Sequence, residues 1–256
     1  MNLCLCLDAL CARLPEEDAL QVALQAGLRH VEFWDWRGRN VDALAERLRT
    51  LRCRAVIFSG NTFDEPLVDA DDHPRALAHL ARSMEVARRL GAGLLVAHVG
   101  YSMVGRPRDG QWAAAVQGLR TAGAMAEEAG VVLAVEPLNS VLDHPGYFLD
   151  TLPAALRLLD EVGRPSVRLL LDVYHMRMMH EDLLERLPGA LPYTVHIHLA
   201  DVPGRGEPGT GTIDWPAVLR ILERSGYRGA LGLECWPSAD PVSAVRRAAA
   251  VLGVRR

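Results

Sequence analysis

A chain of 256 residues with half its side chains hydrophobic and 23% charged is long enough for one large core and too apolar to be dominated by disorder. Its 28 basic against 32 acidic side chains leave a formal charge of −4, which provides no electrostatic field for binding along a nucleic-acid backbone. The five cysteines, Cys4, Cys6, Cys11, Cys53 and Cys235, are odd in number and lack metal-finger spacing, so reduced thiols in a cytoplasmic protein are expected.

The apolar opening MNLCLCLDALCARL is broken by Asp8, has no basic run before it and no long apolar span after it. It reads as a buried first strand, with Cys4 and Cys6 as small core residues on one face, and not as a signal or membrane segment. From there short β-rich runs alternate with segments of helical period: LCLCL (3–7), HVEFW (30–34), RAVIFS (54–59), LLVAHV (94–99), VVLAVE (131–136), VRLLLD (167–172), TVHIHL (194–199) and ALGLEC (230–235). Between them lie helices such as PEEDALQVALQAG, where Pro15 suits a first turn, and HPRALAHLARSMEVARRLG, QWAAAVQGLRTAGAMAEEAG and LDTLPAALRLLDEVG, each stopping at a glycine just before the next strand. The arginine-rich end RRAAAVLGVRR (246–256) has helical apolar spacing and reads as a terminal helix, not a nucleic-acid arm.

Eight near-continuous apolar strands separated by helices predict an α/β fold, a parallel eight-stranded (β/α)8 TIM barrel formed by one domain over residues 1–256. The alternative is a Rossmann-like open sheet. Its phosphate fingerprint is absent after the first strand, where the chain reads DALCARLPEED.

A barrel gathers the C-terminal ends of its strands around one mouth, and there the sequence places Glu32, His98, Glu136, Asp172, His198 and Glu234. Glu136 in VLAVEPLN, Asp172 in RLLLDVYH and Glu234 in ALGLECW each end a run that should be buried, where a carboxylate must be paired, hydrogen-bonded or bound to a cation. Any one of them alone reads equally well as an acid held by backbone N–H groups. With His198 they form a mainly oxygen ligand set that suits Mn²⁺ or Mg²⁺ and also accommodates Co²⁺ or Zn²⁺. His196 and His198, two apart in VHIHLAD, point the same way, so His196 lies one layer deeper as a packed or supporting residue.

The segments VEPLN, LLDVYH, HIHLADVPGRGEPGTG and LGLECW resemble those of the xylose-isomerase-like TIM-barrel superfamily, most closely its hydroxypyruvate isomerase branch. The resemblance implies that Glu136, Asp172, His198 and Glu234 bind one divalent metal and that Glu136 and Glu234 are the acid/base pair beside a small hydroxy-carbonyl or sugar substrate. It also implies a substrate-contacting role for His175. In hydroxypyruvate isomerases the position of His198 is often glutamine, whereas ketose epimerases and inosose-type relatives carry histidine. The implied chemistry is proton transfer at carbon beside a carbonyl through an enediolate, hydroxypyruvate giving tartronate semialdehyde. A ketose 3-epimerase and an inosose isomerase or dehydratase are the alternatives. A nuclease like the endonuclease IV relatives is disfavoured, because the expected Asp-x-His pair is missing from the loop after the seventh strand, and a non-catalytic binding barrel is the third class.

Further candidates are Arg205, which could bind a substrate carboxylate or pair with Glu207 in PGRGEPGTG, and His98, which could contact substrate or support a ligand. Glu207 is expected beside the substrate with Arg205. Asn139 and Asp8 read as turn or cap residues, Glu32 as an ion-pair partner, and Trp34, Trp36 and Trp236 as an apolar wall or plain packing. Neither nucleic acid nor membrane is an expected partner, and the sequence leaves homo-oligomerisation open.

Overall fold

In the computed structural model, residues 1–253 are described; the last three residues of the arginine-rich end lie outside them. The chain runs β1 (Leu3–Cys6), α1 (Leu7–Leu10), α2 (Glu16–Gln25), β2 (His30–Phe33), α3 (Val41–Leu51), β3 (Arg54–Ser59), α4 (His73–Leu90), β4 (Leu94–Ala97), α5 (Arg108–Ala129), β5 (Val132–Val135) and α6 (Leu152–Val162). It continues through β6 (Val167–Asp172), α7 (Val173–Met178), α8 (Leu183–Ala190), β7 (Thr194–Leu199), α9 (Trp215–Ser225), β8 (Ala230–Leu233) and α10 (Pro241–Val251). The eight strands pair in sequence order, all in parallel, and β1 closes on β8 through Leu3↔Leu231, Cys4↔Gly232 and Leu5↔Leu233. This is the (β/α)8 barrel expected from the alternation.

Strand alternation divides the core in two. Ile57, Val96, Ala134 and Leu170 form their own apolar cluster, while their strand neighbours Leu95, Leu133, Leu169 and Leu171 belong to the larger core shared with the helices. Each fully buried leucine of that larger layer contributes roughly 2 kcal/mol. Cys4, Glu32 and His196 alternate with residues of the larger core such as Leu5, Val31 and Ile197, and all three are buried.

Helix ends follow their local chemistry. Asn40, Asp182, Asp214 and Asp240 accept backbone N–H bonds at the starts of α3, α8, α9 and α10. Gly91 and Gly130 close α4 and α5 in the left-handed conformation, with φ of 68° and 69°. Pro15 sits one residue before α2 instead of inside its first turn, and α5 begins at Arg108, ahead of the expected QWAAA.

Five strands are shorter at their C-terminal ends than their apolar runs: LCLCL pairs only through Cys6, with Leu7 and Asp8 beyond it, and four others behave alike. LLVAHV pairs only through Ala97, VVLAVE through Val135, ALGLEC through Leu233 and HVEFW through Phe33. The polar residue that follows, or nearly follows, each end leaves the ladder at the barrel mouth. Among the described residues no helix is long and apolar enough to cross a membrane.

Candidate metal and substrate site

Glu136 and Glu234 directly follow β5 and β8, and Asp172 and His198 stand opposite each other across β6 and β7. One ligand atom from each of these four residues lies within 4.8 Å of the others. His198 Nδ1 is 3.3 Å from Glu136 Oε1 and 3.4 Å from Glu234 Oε2. Asp172 also starts α7. Its Oδ1 accepts from Tyr174 N at 2.7 Å and His175 N at 3.2 Å, which leaves Oδ2 for the mouth.

The donor set fits one divalent cation. All four residues are buried, and the three carboxylates receive fewer donors than their oxygens can accept. Burial, with Glu234 and Asp172 adding to it, pushes the Glu136 carboxyl up to about 7 despite the His198 contact. Burial likewise raises Asp172 to about 6 against the pull of Arg205. For Glu234 burial is outweighed by His198 and Arg205, which hold its carboxyl well below the usual range. A buried cation would relieve this crowding.

Glu136, His198 and Glu234 line a cavity of about 280 Å³ together with His98, His175 and Arg205, and Asp172 stands behind this wall, against Arg205 and His175. His175 Nδ1 accepts from Asn139 N at 3.2 Å, which puts its own proton on Nε2, 3.6 Å from Asp172 Oδ2. Burial and Arg205 hold that imidazole neutral, well below its ordinary value. Burial likewise lowers His98 to about 4, and its Nε2 lies 3.3 Å from Ser59 Oγ.

Arg205 sits at φ 56° in the loop after β7, 9% exposed. Its guanidinium meets Glu234 Oε2 and, at 3.2 Å, Asp172 Oδ2, and it stacks over the Tyr174 ring. It does not pair with Glu207. Contrary to its expected place beside substrate, Glu207 is fully buried away from the cavity: it accepts from Ser238 N at 2.9 Å and Ser238 Oγ at 2.7 Å and pairs with Arg247. These bonds tie the β7–α9 loop to the segment after β8.

Trp34 and Trp236 meet edge to face at 6.0 Å, and Trp34 Nε1 donates to Glu234 Oε1 at 2.5 Å. Trp36 is elsewhere, donating to Ser83 Oγ. Asn139 performs its turn chemistry, accepting from Leu142 N and Asp143 N, and also places Nδ2 2.7 Å from His175 Nδ1. Asp8 accepts from Trp34 N and pairs with Arg39.

Three contributors were not singled out from the sequence. Phe63 and His144 close one side of the cavity, with ring centroids 5.3 Å apart, from loops without periodicity or motif. Asp201 anchors the Arg205 loop: Oδ1 accepts from Val202 N at 3.0 Å and Ile213 N at 3.1 Å, and Oδ2 from Gly209 N and Trp215 Nε1, both at 2.9 Å. An Asp at a strand end before a Pro/Gly loop is the pattern that could have flagged it.

The chain is similar to known proteins over most of its length. A mouse protein named putative hydroxypyruvate isomerase is 36% identical over 90% of this chain and 86% of its own. A human protein of the same name is 37% identical over 50% of this chain, and the match spans 46% of that protein. A crystal structure from Brucella melitensis titled AP endonuclease, family 2, superposes with a TM-score of 0.89 at 25% identity, covering 98% of this chain and 99% of that one. Residues 20–253 match the model of the xylose isomerase-like TIM barrel, and the chain belongs to that family.

Proposed function

We propose that this chain is a divalent-metal-dependent isomerase of a small hydroxy-carbonyl compound, with hydroxypyruvate converted to tartronate semialdehyde as the leading reaction. The names of the mouse and human relatives support an isomerase. The observation that carries the reading is the convergence of Glu136, Asp172, His198 and Glu234 on one point, beside a cavity that has Glu136, His198, Glu234 and Arg205 on its wall.

A cation held by those four residues would polarise a substrate carbonyl and lower the cost of negative charge on its oxygen. The chain's own groups account for the rest. Glu136 and Glu234 enter from β5 and β8, well apart around the barrel, so a substrate between them has one carboxylate to take a proton from carbon and another to return it. His175 offers a neutral Nε2–H to a substrate oxygen. Arg205, whose Nε has no partner among the described residues, offers its fork to a substrate carboxylate. Trp34 and Phe63 exclude water from the reacting carbons.

Arg205 favours a substrate bearing a carboxylate over a neutral ketose. Histidine at position 198 favours the second reading, ketose epimerisation, through the resemblance noted above. The test is to supply the Mg²⁺-loaded protein with hydroxypyruvate, ketohexoses and inosose and follow products by NMR. Turnover of hydroxypyruvate alone supports the leading reading, turnover of a ketohexose alone moves the assignment to an epimerase, and cleavage of abasic DNA by the clean protein would overturn both.

A further inference from the structure

Beneath the four proposed ligands lies a buried carboxylate that the reaction does not use. Glu32, in the middle of β2, is 2% exposed. Its Oε2 is 2.7 Å from His196 Nε2, and its Oε1, without a formed hydrogen bond, lies 3.4 Å from His198 Nε2. The fold makes room for this group: at Gly232, which pairs with His198 across β7 and β8, a Cβ would fall 2.6 Å from Glu32 Oε2, 2.8 Å from Cδ and nearer still to Oε1. A strand position without a side chain is unfavourable, and so is a buried carboxylate. Their juxtaposition needs a compensating role.

Resting on the metal-site reading above, we propose that Glu32, braced by His196 and accommodated by Gly232, is a positioning residue that orients His198 for metal binding. Its Oε1 faces Nε2 at 3.4 Å, and a cation on Nδ1 would turn the ring proton toward it. The Nδ1 lone pair is then left facing Glu136 and Glu234, where a cation would sit. The His196 ring stands perpendicular to that of His198 at 5.0 Å, so the lower histidine fixes both the carboxylate and the packing under the upper ring.

Mn²⁺ affinity is measured from the EPR signal of the free ion in the wild type, Glu32→Ala, Gly232→Ala and the double variant, with thermal unfolding of each recorded alongside. Each single variant should bind roughly 10- to 100-fold more weakly, the range typical of lost supports behind a ligating histidine. The double variant should be no worse than Glu32→Ala, because the added methyl then has no carboxylate to displace. In the Zn²⁺-loaded wild type, ¹⁵N NMR should show the His198 proton on Nε2 and the metal on Nδ1, with that proton signal shifted or lost in Glu32→Ala. A purely structural role would leave this signature in place. Wild-type affinity in a folded Glu32→Ala protein, or a proton on His198 Nδ1, overturns the inference alone. Failure of the wild type to take up any divalent ion overturns the metal-site reading and the inference with it.

Discussion

Two groups of buried acids lie within one loop of each other and could hardly be treated more differently by the fold. Asp201 receives three backbone N–H groups and an indole N–H. Although its burial acts the other way, the Trp215 indole and the backbone donors hold its carboxyl below the usual value. Glu136 and Asp172 receive too little to offset burial and are pushed up. Burial alone therefore does not mark a functional acid. Burial with unmet acceptor capacity does, because a saturated carboxylate already contributes to folding and a crowded one still lacks a partner.

The contrast breaks if substitutions at the two places have the same effect. Glu136→Gln or Glu234→Gln should lower turnover by about 10²- to 10⁴-fold, the usual contribution of a positioned acid or base, as read from product formation by NMR. The folding stability of Glu136→Gln should change by no more than about 1 kcal/mol, or rise, since a crowded buried charge is removed. Asp201→Ala should do the reverse: unfolding in denaturant should show a loss of about 3 kcal/mol, and a Tm roughly 10 °C lower, as buried donors lose their acceptor. A stable Asp201→Ala protein, or a Glu136→Gln protein that barely folds, would remove the distinction.

Acid sharpens the comparison with a smaller effect. Glu136 and Asp172, at about 7 and about 6, must release protons before they can bind a cation. Metal affinity measured by calorimetry should therefore be at least tenfold weaker at about pH 5.5 than at about pH 8, with protons released on binding. Asp201 has the opposite sign. Its folded carboxyl is lowered, so its contribution is present above the unfolded value near about 4 and is lost as pH falls further. Pre-saturated affinity that ignores pH over that range would show that the two acids are not crowded as the geometry indicates.

Much of this arrangement was legible in the amino acids, for physical reasons. Strands covered on both faces need continuous apolar runs, so all eight stood out, and parallel pairing made their polar C-terminal ends converge. Glu136, Asp172, His198 and Glu234 were visible because each ends such a run. What escaped depends on contacts between distant segments. Glu207 looked functional in its glycine-rich loop, yet Ser238 and Arg247, 31 and 40 positions along, hold it. Asp201 was not singled out from the sequence and is the hub of the loop that carries Arg205. Glu32 read as half of an ion pair, and only the space above Gly232 shows how deliberately its carboxylate is housed.

The central claim is that the crowded acids hold a divalent ion and move a proton on a small hydroxy-carbonyl substrate. Its most direct test is NMR of hydroxypyruvate in heavy water with the protein stripped by a chelator and then reloaded with Mg²⁺ or Mn²⁺. The account predicts no conversion by the stripped protein, and tartronate semialdehyde with deuterium at the reacting carbon after reloading. Equal conversion with and without the ion, or none with any divalent ion or substrate of the panel, would contradict it.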